Sequence, residues 1–214
     1  MLPVWDMDGT LIDSSRVVPA AFVRAVAELG APPVTAEQVV AAYWRGTPEV
    51  ILDHLTGRAL TAAEHDVYYR HLDGVPVTAY PDIAATLAAL RAAALPVTVF
   101  TGASTRAARI LLAAAGLDTD LIIGGDQVEH PKPAPDGMLL AAAELGTTAG
   151  RLILVGDSFL DLRAAAAAGS RSAAAGWGHL HDPAEPADFR LATPLELLAI
   201  IGCPGPAGAP ILAG

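Results

Sequence analysis

One lysine and one cysteine are all that this 214-residue chain contains of either residue type. With Cys203 alone, no intrachain disulfide can form, which excludes a disulfide-built scaffold and predicts a reducing, cytoplasmic setting. No apolar stretch is long and uninterrupted enough to cross a bilayer. The Ala-rich runs 139–145 and 164–168 are bounded by charges and glycines. The first residues lack a basic region and a small-residue cleavage site, so no signal peptide is expected. Basic charge is sparse too: the net charge is −10, and the cations are scattered arginines. That argues against a surface tracking a nucleic-acid backbone. It leaves a small anionic substrate open, because one bound metal ion inverts the local potential.

The scarcity of lysine makes the exception informative. Lys132 stands in His130-Pro131-Lys132-Pro133-Ala134-Pro135-Asp136, while arginine serves everywhere else. Lysine is a compact point charge and arginine a planar fork, so a lone lysine in an Ala/Gly/Arg-rich chain marks a position where the fork does not serve. The second conspicuous run is Asp6-Met7-Asp8-Gly9-Thr10, delivered by the apolar stretch Leu2-Pro3-Val4-Trp5. Residues i and i+2 of an extended chain point the same way. Asp6 and Asp8 are therefore expected to share one small site, with Gly9 allowing a sharp turn after them.

Strand-like and helix-like runs alternate along most of the chain. Strands are predicted over 2–5, 97–100, 121–123 and 152–155, and helices over 83–93, 105–115, 134–145 and 160–168, with Gly116 and Gly146 at helix stops. Such alternation predicts an α/β fold, a Rossmann-like parallel sheet with helices on both faces. From Ser15 to Tyr80 only helical patterns occur, such as Val18, Phe22, Val26 and Leu29, which predicts an inserted all-helical domain hinged near Ser14 and Pro81. The expected organisation is a core of 1–14 plus 81–202, a helical insert of 15–80, and a flexible Pro/Gly/Ala-rich tail of 203–214.

In an open parallel sheet, ligands bind beyond the carboxyl ends of the strands. That edge gathers Asp6 and Asp8, Thr101-Gly102-Ala103-Ser104, Lys132, and Gly156-Asp157-Ser158 with Asp161 a turn later. Like charges about 4 Å apart cost roughly 4 kcal/mol at an effective dielectric near 20. Asp6, Asp8, Asp157 and Asp161 together therefore call for a cation. The donors are hard oxygens, with no Cys or His in the motifs, which favours Mg²⁺ over zinc. The Thr101 hydroxyl, the Lys132 charge and the amides around Met7, Asp8 and Gly102 suit an anion. The combination describes a phosphoryl site with a carboxylate nucleophile.

The order Asp-x-Asp-Gly-Thr, an apolar strand ending in Thr, Lys-Pro-x-Pro-Asp and Gly-Asp-Ser-x-x-Asp resembles the haloacid dehalogenase superfamily. The helical insert is similar to that family's C1 cap, and the likeness is greatest to the branch of phosphoglycolate phosphatases and β-phosphoglucomutases. The resemblance implies that Asp6 attacks phosphorus and Asp8 acts as acid and then base, while Thr101 and Lys132 bind phosphoryl oxygens. It further implies Mg²⁺ ligation by Asp6, Asp157 and the Asp8 carbonyl, with Asp161 orienting Lys132 or a metal-bound water. An acid at Asp8 favours phosphoryl over dehalogenase chemistry. The insert lacks the lysine of phosphonate-cleaving members, and Val18 stands where mutases carry a histidine. Gly102 stands where Asn is common, and Tyr80-Pro81-Asp82 lacks a frequent hinge glycine. A phosphatase acting on a small phosphorylated metabolite is thus expected, with a phosphosugar mutase or a non-catalytic phosphate-binding protein as alternatives. Neither nucleic acid nor membrane is an expected partner, and the sequence does not specify an oligomeric state. Arg16 and Arg45 are the candidate substrate-binding residues of the insert. His65, His71, His179 and His181 are read as solvated or loop histidines. Trp177-Gly178 is a candidate for the site rim, and His130 a candidate neighbour of Lys132.

Overall fold

A computed structural model describes residues 1–205. In chain order the elements are β1 (Leu2–Trp5), β2 (Ile12–Asp13), α1 (Val17–Glu28), α2 (Ala36–Val40), α3 (Pro48–Thr56), α4 (Ala62–Leu72), β3 (Thr78–Ala79), α5 (Ile83–Ala92), β4 (Thr98–Phe100), α6 (Thr105–Ala114), β5 (Leu121–Ile123), α7 (Asp136–Glu144), β6 (Leu152–Gly156), α8 (Phe159–Ala168), β7 (Arg171–Ala175), β8 (Phe189–Leu191) and α9 (Glu196–Ile201). Six strands form one sheet in the order β5-β4-β1-β6-β7-β8, and every neighbouring pair is parallel. β1 lies in the middle, with Trp5 in register with Val99 on one side and Val155 on the other.

The sheet is buried on both faces, and side chains alternate between them as the pleat requires. Leu152 and Leu154 of β6 join Val4, Phe100 and Met138 in one cluster. Ile153 and Val155 join Trp5, Val99 and Leu111 in the other. That second cluster continues without a break into Phe22, Leu52, Val67 and Tyr68 of the helical segment. The apolar positions that recur along α1 thus bury chiefly against α4 and α2.

Three expectations need correction. The sheet has two more strands than predicted: β7 is an alanine-rich run and β8 spans three residues, so neither carries the β-branched signature of a strand. The interval 15–80 is not wholly helical, because it ends in β3, which pairs antiparallel with β2 (Ile12↔Ala79, Asp13↔Thr78). Two-residue strands are too short for alternation to reveal. Finally, Cys203 does not belong to a loose tail. It is buried, its N–H donates to the Leu198 carbonyl at 2.8 Å, and its Sγ lies 3.7 Å from the Ala89 carbonyl oxygen. Most of the expected tail, residues 206–214, lies outside the described residues.

Candidate active site

The carboxyl end of β1 runs straight into Asp6, whose N–H still pairs with the Val155 carbonyl at 2.8 Å. The chain then coils tightly: the Met7 carbonyl accepts from the amides of Thr10, Leu11 and Ile12. Gly9 enables this turn with φ +84°, and a Cβ there would run into the Asp157 carboxylate. Gly178 closes on Asp157 from the other side, where a Cβ would meet the Asp157 side chain and the Gly9 carbonyl. Both glycines are therefore required for close approach to the same carboxylate.

Lys132 reaches this tip from the loop before α7. Its Nζ donates to Asp6 Oδ1 at 2.7 Å and to Asp161 Oδ1 at 2.6 Å, and it lies 4.6 Å from the centre of the Phe100 ring. Only 5% of the lysine side chain is exposed. Asp161 is fixed in turn, its Oδ2 accepting from the Ser158 amide (3.1 Å) and hydroxyl (2.6 Å) at the start of α8. Asp157 Oδ2 accepts from the Leu180 amide at 2.9 Å, whereas its Oδ1 is buried with no partner among the described residues. Asp8 accepts from the Ser14 hydroxyl.

Burial dominates the electrostatics. It pushes the Asp6 carboxyl well above its usual range, with Asp161 adding to the push and Lys132 opposing it. It also pushes Asp8 up, against the Ser14 hydrogen bond, and raises Asp157 to about 6. For Lys132, burial disfavours the charged form, but Asp161 and Asp6 outweigh it and hold the ammonium above its usual range. A site that resists ionising its own carboxylates is short of positive charge. Carboxylate oxygens of Asp6, Asp157 and Asp161 lie within 4.8 Å of one another. Asp161 is already engaged by Lys132 and Ser158. The unpartnered Asp157 Oδ1 and the hard-oxygen donor set therefore fit a divalent cation.

Thr101 ends β4. It is buried, and its hydroxyl oxygen accepts from the Ala103 amide at 3.1 Å, leaving its O–H free to donate. The amides of Met7, Asp8 and Gly102 donate to no acceptor among the described residues. The strand ends thus bring Asp6, Met7, Asp8, Thr101, Gly102, Lys132, Asp157 and Asp161 to the same edge of the sheet. Arg16 and Arg45 stand apart: both are exposed, and Arg45 lies over the Trp44 ring at 4.7 Å. His130 pairs with Asp136 at 3.0 Å. His65 and His71 pair with Asp53 and Glu28.

A family model for haloacid dehalogenase-like hydrolases matches residues 3–169. The chain belongs to this haloacid dehalogenase-like hydrolase family. Among its relatives, the phosphoglycolate phosphatase of Yersinia pestis is 33% identical over 216 residues, with 94% of this chain and 92% of that one covered. The phosphoglycolate phosphatase of Aquifex aeolicus is 29% identical, with 92% and 95% covered. Among solved structures, CbbY from Rhodobacter sphaeroides in complex with phosphate superposes with a TM-score of 0.78 at 25% identity, covering 92% of this chain and 95% of that one.

Beside the motif carboxylates and lysine, this hydrolase recruits supporting groups, of which only Ser158 belongs to a motif. Ser14 supports Asp8 and Ser158 supports Asp161. Trp177 Nε1 ties the turn after Asp8 by donating to the Thr10 carbonyl at 2.9 Å, which places the expected rim residue. His179 Nδ1 lies 3.9 Å from Asp157 Oδ2, so the loop that carries this histidine borders the site.

Proposed function

We propose that the protein is a divalent-metal-dependent phosphatase that hydrolyses a small phosphomonoester through an aspartyl-phosphate on Asp6. The observation that carries this reading is Lys132, buried between Asp6 and Asp161 and bonded to one Asp6 oxygen. It fixes the carboxylate's orientation while Oδ2 has no protein donor among the described residues. A nucleophile is thereby held in one rotamer without being quenched.

In the first step an Asp6 oxygen bonds to phosphorus, the bond to the leaving oxygen breaks, and Asp8 gives that oxygen its proton. Burial, by raising the Asp8 carboxyl, keeps that proton available, and the Ser14 hydroxyl fixes the carboxyl plane. In the second step Asp8, now ionised, takes a proton from water as its oxygen bonds to phosphorus and the Asp6–phosphorus bond breaks. The Thr101 hydroxyl, the amides of Met7, Asp8 and Gly102, and the Lys132 ammonium bind the phosphoryl oxygens. Asp6, Asp157 and the Asp8 carbonyl would hold Mg²⁺, which supplies positive charge against the phosphoryl oxygens and the crowded carboxylates.

We read 15–80 as a cap and 1–14 plus 81–202 as the catalytic core. The two crossings between them, β2 and β3, lie side by side, which suits a hinge near Ser14 and Pro81. A cap closing over the strand ends would exclude bulk water and limit the substrate to a small metabolite.

The test is phosphate release from p-nitrophenyl phosphate and a panel of small phosphomonoesters, with Mg²⁺ and with EDTA. Release that EDTA abolishes, and trapping of phosphate on Asp6 by mass spectrometry in Asp8→Asn, are the expected results. Isomerised sugar phosphate without free phosphate would instead identify a mutase, and binding without turnover a ligand-binding protein.

A further inference from the structure

The loop that leaves β7 toward β8 touches both segments that carry Asp8 and Asp157. Trp177 Nε1 donates to the Thr10 carbonyl at 2.9 Å, two residues beyond Asp8. The Leu180 amide donates to Asp157 Oδ2 at 2.9 Å. Between them Gly178 presses on the Asp157 side chain and the Gly9 carbonyl, where no Cβ would fit. The base of the loop is fixed to the sheet. The Gly176 amide donates to the Leu191 carbonyl of β8 at 2.8 Å, and the Gly178 amide to the Ala175 carbonyl of β7 at 3.1 Å. One short loop therefore ties the turn after Asp8 to Asp157 and both to the sheet.

Asp157 is held asymmetrically. Its Oδ2 takes the Leu180 amide, and the His179 ring stands 3.9 Å from the same oxygen. Its Oδ1 is buried with no partner among the described residues. A buried carboxylate oxygen left bare is costly. Turning the carboxylate to relieve it is blocked, because Gly9 on one side and Gly178 on the other approach too closely for a Cβ on either. The loop thus keeps Asp157 in one orientation with one oxygen unsatisfied. Among the described residues it forms no hydrogen bond to Asp6, Thr101 or Lys132, so its hold falls on Asp157 and the turn after Asp8 alone.

We infer that Trp177, Gly178 and the Leu180 amide form a positioning clamp that presets Asp157 and the turn bearing the Asp8 carbonyl for a divalent cation, so that this loop sets metal affinity. The inference rests on the phosphatase reading and adds three residues to its metal position. Groups that orient a metal ligand from behind typically change metal affinity by about 10–100-fold when lost. A clamp of backbone and glycine is rigid, whereas a side-chain donor in its place would add rotamers to be fixed on binding.

Urea unfolding of the full chain at several Mg²⁺ concentrations separates folding from binding. The metal-free midpoint reports the fold, and its rise with Mg²⁺ reports affinity. Trp177→Phe keeps an aromatic ring and loses the bond to Thr10, and it should raise the Mg²⁺ Kd several-fold with little change in the metal-free midpoint. Gly178→Ala forces Asp157 or Gly9 to shift and should raise that Kd by at least about tenfold. With p-nitrophenyl phosphate, both variants should need correspondingly more Mg²⁺ for half-maximal turnover, while KM for the ester at saturating Mg²⁺ changes far less. Trp177→Phe decides the matter should Gly178→Ala fail to fold. A response to Mg²⁺ equal to the parent's overturns the clamp while the phosphatase reading stands, and so does a lowered metal-free midpoint with that response unchanged, which is packing alone. A parent whose midpoint does not rise with Mg²⁺ overturns the clamp together with the metal-dependent reading beneath it.

Discussion

The two sides of the site are built differently. On the sheet side, Asp6, Asp157, Asp161 and the Lys132 side chain are buried beside a partly buried Asp8, and most of the carboxylate oxygens have a named donor. On the helical side, Tyr69 bonds to Glu49 and to Ser104 under the Arg106 guanidinium, and the turn over 43–47 carries a Trp44 that is 72% exposed. Buried charge held by fixed partners is pre-organised and does not adapt. Neutral groups on helices linked to the core by two short strands can be exchanged without disturbing it. The difference teaches that chemistry and selection reside on separate elements of this fold. Substitutions should sort by magnitude accordingly.

The largest effect belongs to the sheet side. Asp6→Asn removes the nucleophile while keeping its shape, so turnover should fall by at least about 10⁴-fold with the fold intact by circular dichroism. Tyr69→Phe, on the opposite face, should change kcat/KM by less than about tenfold. If the two variants were equally impaired, the division between the sides would be broken.

Next comes the ion pair that supports the nucleophile. Lys132→Met leaves Asp6 and Asp161 buried without their cation, and breaking such a cluster costs about 3–5 kcal/mol. Urea unfolding of the metal-free protein should show that loss. Lys132→Arg should not rescue it, because a planar fork cannot fill the place of a point charge between two carboxylates beside the Phe100 ring. An arginine variant as stable as the parent would show that the lone lysine is not required by geometry.

A smaller effect sharpens the picture of the metal position. Burial raises Asp157 from 3.8 to about 6, so in that window the folded metal-free protein holds a proton that the unfolded chain releases. Stability from this group is therefore greatest below pH 4 and declines as pH rises to about 6, by at most ~3 kcal/mol. The difference in urea midpoint between the parent and Asp157→Asn isolates this contribution from other titrating groups. Mg²⁺ should offset the loss above pH 6, where Asp157 ionises readily, and should do less in the Asn variant. A difference that does not change with pH would mean that Asp157 is not strained by its burial.

The same division governs how much the sequence disclosed. β1, β5 and β6, and the helices that follow β4 and β6, are legible because buried parallel strands read as apolar runs and their helices as periodic ones. The alanine run of β7 carries no such signal, since its strand state follows from pairing with β6 in register at Ala173 and Val155. Asp6, Asp8 and Asp157 stand out because charged residues at the ends of apolar runs are unusual, and Lys132 because it is the chain's one lysine. Ser14 and the Leu180 amide are ordinary groups whose roles arise from contact. Glu49, Tyr69 and Ser104 are invisible for the same reason, meeting only through packing from separate parts of the chain. The sequence instead drew attention to Arg16 and Arg45, because a cation seems the natural reader of an anionic substrate.

Arg45 therefore offers the smallest and most pointed test. Its guanidinium lies over Trp44, both are exposed, and among the described residues it forms no ion pair. An exposed cation–π contact contributes about 0.5–1 kcal/mol, so Arg45→Ala should lower stability by no more than that. It should leave kcat/KM within about twofold for glycerol 1-phosphate and p-nitrophenyl phosphate, since neither carries a second anion for an arginine to read. A loss above about tenfold confined to phosphoglycolate would show that the turn swings inward on closure. In that event the turn would bring a cation to the strand ends, and the contrast between a fixed charged side and an exchangeable facing side would hold only for the open site.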